Sequence, residues 1–84
     1  MAMIASAQIS VYPLRQDRLG PAIEAVRVSL EDHGLTAAIG PMSTIVVGED
    51  AMIFAALGEA FAKAAELGEV VMTVTLSNAC PVAK

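Results

Sequence analysis

From Ala7 to Pro13 the chain reads AQISVYP, and the apolar residues Ala7, Ile9 and Val11 alternate with Gln8, Ser10 and Tyr12. A period of two is the signature of a strand with one buried face. Pro13 has no backbone N–H to give to a ladder and marks where the strand stops. The second face lines up an amide, a hydroxyl and a phenol, which suits the floor of a polar binding surface and equally an ordinary solvated face.

Between Gln16 and Gly34 the period changes. Leu19, Ile23, Val26 and Leu30 recur at helical spacing, with Arg18, Glu24, Arg27, Glu31 and Asp32 largely elsewhere on the wheel, which predicts a helix with one buried stripe. Two starts compete: Asp17 as N-cap, or Gly20 as cap with Pro21 at the first helical position. Gly34 supplies the left-handed residue that ends such a helix. His33, the single histidine, lies near the negative end of the helix dipole and reads as a cap, because no partner acid or nucleophile is placed beside it.

The next stretch, LTAAIGPMSTIVVG, holds two β-prone runs, 35–39 and 43–47, around the turn signal Gly40-Pro41, which predicts a hairpin. In its second run Thr44 and Val46 share one face and Ser43, Ile45 and Val47 the other. Burying Ile45 and Val47 beneath the helices sends Thr44 to the open face. Gly48 closes the strand. Asp50, beside Glu49, is the expected cap of a second helix with the stripe Phe54, Leu57, Phe61, Ala64 and Ala65, ended by Gly68. Gly58 inside that helix costs about 1 kcal/mol relative to alanine and reads as a close approach by a neighbouring backbone. From Glu69 the period returns to two, with Val70, Met72, Val74 and Leu76 on one face and Val71, Thr73, Thr75 and Ser77 on the other. The tail NACPVAK is too short for a further element.

The order β-α-β-β-α-β predicts an α+β fold, the ferredoxin-like sandwich of a four-stranded antiparallel sheet with two helices on one face, as one unit spanning residues 1–84. In that arrangement the first and third strands are central, which places Gln8, Ser10 and Thr44 near the middle of the uncovered face. The last strand lies beside the first and adds Thr73, Thr75 and Ser77. A hydroxyl-rich sheet bordered by Tyr12 and Met42 can hydrogen-bond a flat heterocycle and stack against it once a second subunit or a loop excludes water.

Composition narrows the choices. Of 84 residues, 56% are hydrophobic and 17% charged. That is a more apolar balance than a small monomer needs to fill its interior, and self-association to a dimer or tetramer is expected to bury the excess. A chain of this length buries roughly 60 to 65% of its extended surface, so its core is small. A net charge of −4 with only five Lys and Arg gives no cationic track for phosphates, which argues against nucleic acid and fits a cation or a neutral polar small molecule. The single cysteine, Cys80, excludes an internal disulfide and a CxxC motif and suits a reducing compartment. MAMIASAQIS lacks the basic head of a signal peptide, and no run of about 18 apolar residues occurs, so a cytoplasmic protein without membrane insertion is expected. The loop LRQDRLG has no glycine-rich cradle for an anion, which disfavours an acylphosphatase-like hydrolase. Neither an enzyme nor a bound cofactor or metal is expected.

Three stretches carry a likeness beyond these patterns. AQISVYPL, GPMSTIVVGE and VVMTVTLSNACP resemble the signature segments of the YkoF-like family of thiamine- and hydroxymethylpyrimidine-binding proteins, in the same order, and the likeness runs from about Ile4 to Pro81. The resemblance implies a non-catalytic domain that binds the pyrimidine part of thiamine or its precursor, often in uptake or salvage of that vitamin. Some members carry two copies of the unit; this chain has one, which implies assembly from separate subunits. Carried across residue by residue, the first stretch contributes Ser10, with Gln8 and Tyr12 near it, and the middle stretch Ser43 and Thr44. Asn78 and Cys80 match the closing motif; Asn78 also reads as a turn residue, and Cys80 as a small buried apolar group. Antiparallel pairing puts Tyr12 and Asn78 at opposite ends of the first strand, so the candidates do not all meet within one subunit. The rival expectation is a regulatory or structural self-assembly module whose open sheet is filled by a second sheet.

Overall fold

The computed structural model describes residues 3–15, 20–40 and 43–79. Asp17, Leu19, Met42 and Cys80, each given a role by the sequence, lie outside the described residues. The elements are β1 (Ile4–Pro13), α1 (Gly20–Asp32), β2 (Ala37–Ile39), β3 (Thr44–Glu49), α2 (Asp50–Ala65) and β4 (Val70–Ser77). The strands form one antiparallel four-stranded sheet in the order β2-β3-β1-β4, with β1 and β3 central as expected. Both helices pack on one face, which makes the fold ferredoxin-like.

Helix α1 carries Pro21 in its first turn, where a missing N–H costs nothing. It ends in a Schellman closure: Leu35 N–H donates to the Leu30 carbonyl at 3.0 Å and Gly34 N–H to that of Glu31 at 3.0 Å, with Gly34 at φ +79°. His33 Nδ1 lies 3.0 Å from the Ser29 carbonyl oxygen, the capping role its position suggested. Leu35 then passes over β3 where Gly48 leaves room, since a Cβ there would sit 2.4 Å from Leu35 Cδ2. Gly48 therefore lies within β3, which runs on to Glu49.

Helix α2 differs from expectation in two ways. Its N-cap is Glu49, with extended backbone and no side-chain hydrogen bond. Asp50 opens the helix and is tied instead to the start of β1: its N–H donates to the Met3 carbonyl at 2.9 Å, and its Oδ1 accepts from the Met3 N–H at 3.3 Å. The buried stripe is Ile53, Ala56, Ala60 and Ala64, whereas Phe54 and Phe61 are 58% and 48% exposed. The segment DAMIFAALGEAFAKAA is apolar on several sides, so periodicity alone fits more than one stripe. Packing decides among them: the alanines bring α2 close to a sheet whose β1 also presents Ala5 and Ala7, and the larger rings fall outside the contact. A Cβ on Gly58 would meet nothing within 4 Å, so no close backbone explains that glycine.

Candidate functional site: the uncovered face of the sheet

Directly opposed residues of an antiparallel pair share a face, so register fixes what each side of the sheet presents. Ala5, Ala7, Ile9 and Val11 of β1 lie under the helices. Ser6, Gln8, Ser10 and Tyr12 are on the uncovered side. On β4 these four stand opposite Ser77, Thr75, Thr73 and Val71, as the alternation in both segments suggested. On β3, Ser6 and Gln8 stand opposite Val47 and Ile45. The uncovered face therefore has a strip of hydroxyls and an amide across β1 and β4, beside an aliphatic strip on β3. Ile45 is 46% exposed and Tyr12 also 46%.

Gln8 is the pivot of this surface. It sits on a central strand between Ile45 and Thr75, and its Nε2 donates to Ser43 Oγ at 3.2 Å. Gln8, Ser10, Tyr12 and Ser43 thus belong to one surface.

Thr44 does not join them. It stands opposite Ile9 and is only 6% exposed, under the helices with Val46. The sequence left two ways to face β3, and the larger aliphatics Ile45 and Val47 were the expected interior pair. Register reverses this, because pairing Gln8 with Ile45 commits every second residue of β3 to the polar side. Ile45 and Val47 are the residues of the uncovered face that sequence reasoning assigned to the helix side; the alternation across 43–47 was visible, but its direction was not.

Asn78 also stands apart. It follows Ser77, which pairs with Ser6, four positions and about 13 Å along β1 from Ser10. Its Nδ2 donates to Met3 Sδ at 3.1 Å, and it lines a groove with Met3, Asp50, Phe54 and Leu76 at the rim of α2.

The described side chains on the uncovered face are uncharged apart from Glu49, which stands opposite Ile4 at one end of β3. Ion pairs lie elsewhere: Arg15 with Glu69 beside the ends of β1 and β4, and Arg27 with Glu24 and Glu31 along α1. The Arg27 hydrogen bond holds the Glu24 carboxyl below its ordinary pKa. Among the described residues no group of three His, Cys, Asp or Glu side chains is placed to hold a metal ion, and no helix is long and apolar enough to cross a membrane. The surface can form neutral hydrogen bonds and apolar or ring contacts with a small uncharged or weakly cationic molecule.

The model of the YKOF-related family matches residues 4–83, a span that takes in every element from β1 to β4. This chain belongs to that family. Solved structures share the fold of this YKOF-related chain. A Streptococcus pneumoniae protein is 26% identical with a TM-score of 0.79, over 98% of this chain and 89% of that one. A hypothetical protein from Methanocaldococcus jannascii is 17% identical with a TM-score of 0.83, over 95% and 84% of the two chains. A Thermotoga maritima protein, provisionally assigned to thiamine biosynthesis or salvage, is 22% identical with a TM-score of 0.77, over 88% and 82%. No curated protein matches the chain.

Proposed function

We propose that this YKOF-related chain is a non-catalytic binding protein for thiamine or its hydroxymethylpyrimidine moiety, acting in uptake or salvage of the vitamin. The observation that carries the reading is the uncharged middle of the open face, where the Gln8, Ser10, Thr73 and Thr75 strip runs beside Ile45 and Val47. An aminopyrimidine has donors and acceptors on its edge and an apolar ring face, and such a ligand uses both strips at once. Family membership and the Thermotoga maritima neighbour point the same way. Ser10 and Gln8, with Ser43 held by Gln8, are the hydrogen-bonding set, and Tyr12 at the border offers its ring to the thiazolium cation. Thr44 and Asn78 are outside the site.

Each neutral hydrogen bond contributes about 0.5 to 1.5 kcal/mol, and a tyrosine facing a cation roughly 0.5 to 2 kcal/mol. These magnitudes suit reversible capture. Titration calorimetry with thiamine and with hydroxymethylpyrimidine tests the reading: saturable heat is expected, reduced by Ser10→Ala and by Ile45→Lys. Absence of heat with either compound at millimolar concentration overturns it. A second reading has its own observation: Ile45, Val47 and Val71 are exposed aliphatics on the same face, which a second sheet would cover in a regulatory or structural assembly without ligand.

A further inference from the structure

The helix layer carries a trench that the binding reading does not use. α1 and α2 lie side by side and run antiparallel: a Cβ at Gly34, just past the end of α1, would sit 3.6 Å from Met52 Cε at the start of α2. The end of α2 therefore comes level with the start of α1. Between them lies a cleft of about 430 Å³, lined only by residues of α1 and of the end of α2. One bank is the α1 row Pro21, Ala25, Val28 and Asp32, spaced i, i+4, i+7 and i+11 along one face of that helix. Lys63, Glu66 and Leu67 form the other bank, and the buried Ser29 lies between. Val28 and Leu67 are 41% and 47% exposed, so neither helix covers the other's apolar residue here.

Charge in this trench sits at its two ends. Asp32 stands at one, and Glu66, level with Pro21, at the other, about 16 Å away by the rise of α1. Glu24 joins Glu66 there, but Arg27 holds it together with Glu31. No ion pair among the described residues engages Asp32 or Glu66. Lys63 is the one cation of the lining, and its carbon stem runs along the apolar middle. The order along the trench is acid, apolar residues, acid.

We propose that this trench docks an amphipathic helix of a different protein, one that carries Lys or Arg at both ends of a short apolar stripe. Shape selects a helix. An open trench about 16 Å long leaves a compact molecule mostly in water, whereas a helix of three turns laid along it buries one face. Charge order selects the side chains. A cation, two apolar residues and a second cation at i, i+4, i+7 and i+11 fall within about 60° of one another on a helix and span about 16 Å. The apolar pair then meets Val28 and Leu67 while the two cations reach Asp32 and Glu66. A second copy of this chain does not supply that pattern. Its own helices present Glu24, Glu31, Asp32, Glu59 and Glu66, so two copies set like charges together. Anionic membranes and nucleic acids are repelled for the same reason. A helix docked here leaves the open face of the sheet clear, and the two sites can be filled together.

The probe is the acetylated and amidated peptide AKAQALAALAQAKA, which sets Lys, Leu, Leu and Lys at that spacing. It is titrated into the isotope-labelled full chain and followed by NMR. Saturable shifts are expected at the amides of Ala25, Val28, Ser29 and Leu67, with those of β1 and β4 unmoved. The acidic counterpart AEAQALAALAQAEA is expected to bind the wild type more weakly. Asp32→Lys and Glu66→Lys together are expected to weaken the basic peptide roughly tenfold and to strengthen the acidic one. Lys63→Gln is expected to tighten the basic peptide about twofold. All three positions are exposed, and far-UV circular dichroism checks that the variants stay folded. Thiamine calorimetry on the double variant is expected to match the wild type, which separates this site from the vitamin reading. Absence of saturable shifts, shifts confined to the open face of the sheet, equal binding of the two peptides by the wild type, or the same saturation by n-butylamine alone overturns the proposal.

Discussion

Under the helices, β1 sets Ala5, Ala7, Ile9 and Val11 against Ile53, Ala56, Ala60 and Leu30, each at most 9% exposed. On its other side the same strand sets Ser6, Gln8, Ser10 and Tyr12 beside Ile45 and Thr75, with no layer of described residues above them. Side chains on the first face are held by volume: each fills space that its neighbours leave, and losing one opens a cavity. Side chains on the second are held only by register, so their chemistry is free to be set by what docks there. The contrast explains how a chain of 84 residues keeps a stable layer while offering a polar surface.

The largest effect that sharpens this contrast is Ile53→Ala. Ile53 is fully buried, and truncation is expected to cost about 2 to 5 kcal/mol in urea unfolding; a loss as small as that of an exposed residue would break the comparison. Gly48→Val comes next. Its Cβ meets the buried Leu35 side chain, and overpacking is expected to cost about 1 to 3 kcal/mol by the same measurement. On the open face, Ser10→Ala is expected to change stability by no more than about 0.5 kcal/mol while weakening thiamine binding by up to about tenfold, the worth of one hydrogen bond. Thr44→Val gives the opposite pattern: unchanged calorimetric affinity, with any effect confined to stability.

The smallest effect concerns pH. Glu24 is exposed and its carboxyl pKa is lowered by the Arg27 hydrogen bond. A depressed folded-state pKa gives a contribution that is present above the unfolded value and lost as pH falls through the lowered folded value. Arg27→Gln is therefore expected to return the Glu24 titration, followed by NMR, to the ordinary carboxylate position, with little change in melting temperature.

Much of the architecture was legible from periodicity. The alternation in β1 and β4 assigned their faces correctly, and Gly34 marked the end of α1. Gln8, Ser10 and Tyr12 were legible as members of one surface for the same reason; Ser43 was not, because the alternation across 43–47 set it with Ile45 and Val47 on the side expected to be buried. Two elements were not. α2 is apolar on several sides, so the expected Phe54 and Phe61 stripe lost to Ile53 and a run of alanines. β3 alternates cleanly, but with apolar residues on both faces its polarity cannot say which side is in, and Thr44 was placed outward.

The order of elements, the central place of β1 and the hydroxyl-rich face of β1 and β4 were properties of the chain itself, because a period of two or of 3.6 with one apolar side has a single way to meet a core. Tertiary structure alone decided that Thr44 turns inward, that Ile45 and Val47 complete the uncovered face, and that the two phenylalanines of α2 stand outside. In each case the local sequence offered two nearly equivalent faces. The choice came from cross-strand register and from how closely a helix can approach a sheet, and neither is written in any one segment.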